Sequence, residues 1–254
     1  MDYAQAVLEL AHAAGSHPSG WVIWDEGLVA GKQGKHLAIS APGARLTNLQ
    51  ASDLIAVKPA VLLEALTANH GRTHVDSEIL GQARLAPDAP VPGPEAFLAA
   101  ELLAEDWPAL LVLLQPVPLH QILASPRARQ FADRRVTVSE SYGLGRAMPL
   151  VPYADPGIAL AKEMRSRISL WRDRYKAVPR IVLLQNQGVI VLGDTVAEIV
   201  ETTEKLMKAA DVFIGASALG GPQFLSIDNL DRALVFQQAL SPVAPADRAD
   251  DADE

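Results

Sequence analysis

Apolar residues recur along this chain with two periods. From Tyr3 to Ala14 they fall at helical spacing, and Gly15 and Pro18 mark the stop. From Trp21 the period shortens. "WVIW" and "HLAIS" predict two strands, with the glycine-containing "DEGLVAGKQGK" between them as a hairpin loop. Leu54 to Val57 predicts a further strand, followed by a helix in "KPAVLLEAL". Residues 69–94 contain Gly71, Gly81, Pro87, Pro90, Pro92, Gly93 and Pro94, and predict loop with a helical turn. Glu95 to Leu103 predicts a helix that starts directly after a proline. "ALLVLLQPVP" is continuously apolar until its prolines, as a strand buried on both faces would be. "RRVTVSESYGLG" and "AMPLVPYADPG" predict short strands and the loop before a helix from Ile158 to Tyr175. "IVLLQNQGVIVLGDT" then places two apolar strands around the polar triplet Gln185-Asn186-Gln187. Thr195 and Glu198 form a capping-box pattern, and Val196, Ile199, Val200, Thr203, Leu206, Met207, Ala210 and Phe213 share one helix face.

Strands interleaved with helices imply a layered α/β protein, and hairpin-joined short strands imply a mixed or antiparallel sheet. No repeat, heptad run or linker divides residues 1–240, so a single domain is expected there. Residues 241–254 are too polar and acidic to pack and are expected to be a disordered tail. Of the net charge of −8 over 254 residues, the last eight, "DRADDADE", contribute five acids and one Arg. The body is therefore only mildly acidic. It lacks the basic footprint that nucleic acid or an anionic membrane surface requires. Cysteine is absent, which removes disulfides, thiolate metal sites and thiol nucleophiles. The N-terminal segment carries acids where a signal peptide carries basic residues, and no apolar run is long enough to span a bilayer. A cytoplasmic location is the expectation.

Most local clusters of chemically capable residues have an ordinary explanation. His70 and His74, with Asp76 and Glu78 in "HGRTHVDSE", are metal-capable, but Gly71 interrupts the spacing and the flanks read as loop. Gly27, Gly31 and Gly34 fit neither a P-loop nor a dinucleotide fingerprint. "GASALG" around Ser217 is not a nucleophile elbow. Glu95 stands at a helix start, where the helix dipole favours a carboxylate. The polar triplet before Gly188 is the least expected feature, because strand-flanked amides must find partners or face a cleft.

The segment "LLQNQGVIVLGDTVAEIVETTEKLMKAAD" resembles the C-terminal signature of the class II aldolase/adducin family, in which a strand ends in Asn-His-Gly. Asn186, Gly188, Gly193 and Glu198 match, and Gln187 takes the position of the metal-binding His. "VPYADPG" (Val151 to Gly157) resembles that family's Pro-Tyr-Ala-Pro-Pro-Gly loop. "LAISAPGARLTNLQASDLIAV" resembles its Pro-Ser-Gly turn and Leu-Thr-x-x-Asp-Leu run, keeping Gly43, Leu49, Asp53 and Leu54. "SGWVIW" keeps Gly20 of its Gly-Asn-x-Ser strand. "PGPEAFLAAELLAEDWPALLVLLQPVP" resembles its Pro-Ser-x-Glu…His-x-His-Pro block. The resemblance spans residues 5 to 240 and implies a three-layer α/β/α sandwich around a mostly antiparallel central sheet.

Active members resembling this pattern hold zinc or a similar ion on three histidines and use it as a Lewis acid on a ketose, with a glutamate handling protons. Glu95 is that glutamate here. The ligand positions fall on Gln115, Val117 and Gln187, and a further family His falls on Ala99. An amide is a weak zinc ligand and valine is none, so no zinc or other cofactor is expected. Rescue would have to come from His120 or from the His70/His74 cluster. The resemblance implies Gly20, Ser40, Gly43, Gln115, Asn186 and Gln187 as ligand-binding positions, with Pro42, Gly93 and Pro94 eroding the anion-binding loops. It also implies a homo-oligomer, commonly a tetramer in the family, and a small sugar or sugar phosphate as ligand. Two functions follow: a non-catalytic binding or assembly module, or a carbohydrate lyase or isomerase working through Glu95 with a changed metal or none.

Overall fold

The computed structural model describes residues 3–18, 20–24, 26–68, 74–103 and 107–240. Its strands are β1 (Leu28–Gln33), β2 (His36–Ser40), β3 (Leu54–Val57), β4 (Leu110–Leu114), β5 (Leu150–Val151), β6 (Ile181–Leu184) and β7 (Gly188–Gly193). The helices are α1 (Tyr3–Gly15), α2 (Pro59–Thr67), α3 (His74–Ala83), α4 (Ala96–Leu102), α5 (Val117–Leu123), α6 (Ala128–Asp133), α7 (Val138–Leu144), α8 (Ile158–Tyr175), α9 (Val196–Ala218) and α10 (Ile227–Leu240). The strands form one sheet in the order β3-β2-β1-β4-β7-β6-β5. Every neighbouring pair is antiparallel except β5 with β6.

Side chains alternate across a strand, so a strand buried along its whole length must be covered on both faces. Strand β4 is buried at all five positions. Its Leu110, Val112 and Leu114 join Val189 and Val191 against α1, α5, α6 and α9, through residues such as Leu10, Leu119, Phe131 and Phe213. Its Leu111 and Leu113 join Ile190 and Leu192 against α2, α3, α4 and α8, through Leu62, Leu80, Phe97 and Met164. This is the three-layer sandwich with a mostly antiparallel sheet that the resemblance implies.

Three local expectations fail, each for an identifiable reason. Residues 21–24 are not a strand. Trp21 is buried with its ring stacked 3.6 Å from that of His17, and Trp24 has φ 58°. The strand lies instead in the predicted loop, as β1. Its Gly31 reads as a turn residue but is there for packing, since a Cβ would lie 2.6 Å from Val7 Cγ2 and 2.9 Å from Leu110 Cδ2. The turn itself shrinks to Gly34-Lys35, because Gln33 pairs with His36 and Gly34 supplies φ +60°. "RRVTVSESYGLG" is helix α7 rather than strand, nucleated by a capping box in which Glu140 accepts from the N–H groups of Val136 and Thr137. The predicted loop at 69–94 contains the ten residues of α3. The expected tail at 241–254 lies outside the described residues, as does His70.

Arg135 is buried behind α7, with 2% exposure. Its guanidinium donates to the carbonyls of Phe131 (3.0 Å), Arg134 (2.8 Å) and Gly145 (2.8 Å), serving backbone that the ends of α6 and α7 leave unpaired. Burial lowers its pKa to about 10, against the opposing pull of Glu140. Arg135→Lys keeps the charge but loses the planar fork. The expected cost is about 2 kcal/mol, read as a lower urea midpoint with an unchanged slope.

Candidate functional site

Pairing of Leu28 with Leu113, of Val29 with Val112 and of Val189 with Leu114 brings the start of β1, the end of β4 and the start of β7 to one edge of the sheet. The end of β2 arrives there too, since Ile39 pairs with Ala30. Two adjoining cavities open at this edge. One of ≈ 290 Å³ is lined by Glu26, Ser40, Pro42, Gly43, Gly93 and Glu95, among others. The other, of ≈ 250 Å³, is lined by Leu98, Gly157, Leu160, Asn186 and Gln187, among others. Glu95, Leu113 and Gln115 belong to both.

Each of these side chains is placed by a local device. Gln185 and Asn186 are the central residues of a tight turn in which the Gln187 N–H donates to the Leu184 carbonyl at 3.1 Å. Asn186 has φ 62°, the left-handed position that such a turn reserves for Gly or Asn. The Gln187 side-chain amide donates to the Ala154 carbonyl at 2.6 Å, tying the turn to the loop before α8. Ser40 is 4% exposed, and its hydroxyl oxygen accepts from the Val29 N–H at 3.2 Å, so it holds the sheet as well as lining the cleft. Glu95 precedes α4 with φ −65° and ψ −15° and makes no capping bond. Gly93 leaves room for it, since a Cβ there would lie 2.5 Å from Glu95 Oε2. No hydrogen bond or ion pair joins the Glu95 carboxylate to another described residue. Opposite, Gly157 turns into α8 with φ +102°, and the Ile158 N–H that follows donates to Asp76 Oδ2 at 3.1 Å.

The sequence-predicted positions Glu95, Ser40, Gly43, Gln115, Asn186 and Gln187 are thus brought together. Gly20 and Val117 are not. Gly20 lines neither cavity, and Val117 starts α5 with 51% exposure, also lining neither. Ala99 is fully buried in the core, and His120 lies on α5 outside both cavities. His70 and the His74 side chain fall outside the described residues. Glu26, Leu113 and the Pro156-Gly157 pair are wall residues that sequence reasoning missed. Glu26 was hidden by the misplaced hairpin, and Leu113 carried only the signal of a core strand.

The residues at the three expected ligand positions do not fit a zinc ion. They offer two amides and no imidazole, one amide is engaged with Ala154, and the third position is an aliphatic side chain outside the cavities. Among the described residues no group of three or more His, Cys, Asp or Glu side chains is gathered as a metal site.

Residues 125–214 match the sequence profile of the Class II Aldolase and Adducin N-terminal domain, and solved structures of that family share the fold. Over those residues the chain resembles the class II aldolase/adducin family. The N-terminal class II aldolase domain of a conserved Thermoplasma acidophilum protein aligns at 19% identity and TM-score 0.65, over 82% of this chain and 92% of that one. YgbL of Klebsiella pneumoniae aligns at 20% identity and TM-score 0.64, over 92% and 99%. An L-fuculose 1-phosphate aldolase aligns at 12% identity and TM-score 0.67, over 93% and 96%. At such identities the likeness of this chain to the solved structures is one of fold. No curated protein matches the sequence. Among the described residues no helix is long and apolar enough to cross a membrane.

Proposed function

We propose that this class II aldolase-like chain is a non-catalytic binding module, keeping the family cleft for a small polyhydroxylated ligand and dispensing with its zinc chemistry. The observation that carries the reading is the donor set. On the correspondence that the resemblance implies, Gln115, Val117 and Gln187 stand in place of imidazole at the three ligand positions, while the cleft around Glu95 stays open. Amides and hydroxyls suit hydrogen bonding to a polyol, whereas Lewis-acid polarisation of a ketose needs a firmly held ion. The test is elemental analysis of the purified, tag-free protein and zinc titration of the metal-stripped form. The expected result is no stoichiometric metal and no cleavage of L-fuculose 1-phosphate, the compound named for one structural neighbour. Near-stoichiometric zinc, cobalt or manganese would overturn the reading and direct attention to His70, His74 and His120.

One observation favours a second reading. The Glu95 carboxylate, shared by both cavities and without a partner among the described residues, has the placement of a general base, and preorganised amides can stabilise an oxyanion without a metal. A carbohydrate lyase or isomerase of this kind would show turnover that Glu95→Gln abolishes.

A further inference from the structure

We infer that the cleft takes a cationic or uncharged polyol, a hydroxylated amine being the best match, and that it rejects phosphorylated sugars. The inference rests on reading the cleft as a ligand site and adds the charge that it excludes. Glu26 and Glu95 line one cavity, and Glu95 also lines the other, yet among the described residues no Lys, Arg or His lines either. Neither carboxylate has a hydrogen-bond or ion-pair partner among the described residues. A phosphate placed here would meet a carboxylate with no cation in the described wall to offset it. Phosphate sites are otherwise built from Arg or Lys side chains, from clustered backbone N–H groups or from helix N-termini.

Backbone donors are sparse. Pro42 and Pro94, on the wall of the larger cavity, have no N–H to give. Gly43 and Gly93 beside them keep an N–H each, set against the carboxylates of Glu26 and Glu95 on the same wall. The N-terminus of α8 borders the smaller cavity at Gly157, but its first N–H is held by the Asp76 carboxylate, which sets a negative charge where an anion would sit. The remaining polar groups are two carboxylates unpartnered among the described residues and the amides of Gln115, Asn186 and Gln187, the last through its side-chain oxygen. An ammonium donates three hydrogen bonds and accepts none. It satisfies such carboxylates, and hydroxyls on the same small molecule can pair with the amides.

The discriminating probes are Tris, its uncharged analogue pentaerythritol, and glycerol 1-phosphate, each titrated at pH 7 into the ¹⁵N-labelled full chain. The amide resonances of Gly43, Gly93 and Gly157 serve as reporters on the cleft walls. Tris is expected to shift them with a Kd at least tenfold below that of pentaerythritol. Glu95→Gln is expected to erase that difference, while glycerol 1-phosphate leaves the resonances in place. Saturable binding of glycerol 1-phosphate as tight as that of Tris would overturn the charge assignment and leave the ligand-site reading standing. Shifts from none of the three would overturn both. A Tris preference that survives Glu95→Gln and a second variant, Glu26→Gln, would show that these carboxylates do not set it, and would overturn the inference.

Discussion

Gly188→Ala is expected to lower the unfolding free energy by about 4 kcal/mol, combining left-handed backbone strain with overpacking. Gly188 has φ +136°, a conformation that L side chains rarely adopt, and a Cβ there would lie 2.5 Å from the Leu114 carbonyl oxygen. That oxygen belongs to the central strand pair β4–β7, where Leu114 and Val189 are partners. Relief of the contact requires one strand to move, and both are buried along their length. The same Cβ would come within 3.3 Å of Gln115 Cγ, so the disturbance reaches the cleft wall directly. Urea unfolding monitored by far-UV circular dichroism gives the number. A loss below about 1 kcal/mol, the range of ordinary surface changes, would mean that β7 is not pinned against β4 at this point.

Gly188 also illustrates which parts of the fold are legible in the sequence. Where apolar runs are continuous and their ends carry specific signals, pattern and structure agree: β4 before its flanking prolines, β6 and β7 around the amide triplet, and α9 behind the Thr195 cap. Where a residue has two physical uses, local pattern selects the wrong one. Gly31 looks like a turn former, but α1 needs its missing side chain to approach β1. Val136 and Val138 look like strand formers, yet they flank a capping box that starts α7. In both cases a contact remote in sequence, or a terminal hydrogen bond, outweighs local propensity. Aromatic residues 21–24 mimic a strand because large side chains suit both a sheet and the wall of a loop packed on the core.

The candidate site is legible to a different degree. The positions that meet in the cleft emerge through the resemblance rather than through periodicity, because they are far apart in the chain. Ser40, Glu95 and Gln187 come to one cleft only once the sheet is assembled. Val117 and Gly20, named by the same transfer, line neither cavity. A two-residue interval from Gln115 carries Val117 past the strand end and onto the first turn of α5, where its side chain is half in solvent. The charge of the cleft could not be read from sequence, since a wall without described cations is a property of the assembled fold.

The triple variant Gln115→His, Val117→His, Gln187→His is expected to bind zinc with a Kd of about 1 μM or tighter, equivalent to about 8 kcal/mol, where the unmodified chain binds none at that level. Two of the three substitutions place imidazoles in one cavity, beside Glu95. Three nitrogen ligands with one open position are the composition of a catalytic zinc site. Position 117 is the demanding one, because Val117 lines neither cavity. The double variant Gln115→His, Gln187→His, which keeps Val117, therefore carries its own information. If an imidazole at position 117 completes the site, the double variant should bind at least tenfold more weakly, and competition titration with a chromophoric chelator resolves such a gap. Equal affinity of the double and triple variants would place position 117 outside the metal sphere and shift the family correspondence in the β4–α5 segment. A folded triple variant without micromolar binding would go further, showing that the three positions do not together form a zinc site. The variant with restored zinc then separates loss of metal from loss of substrate recognition. Under the charge assignment made for the cleft, restoring the ion adds two positive charges to a wall whose described residues supply none, so phosphate affinity should rise with zinc occupancy even if no carbon–carbon bond is cleaved.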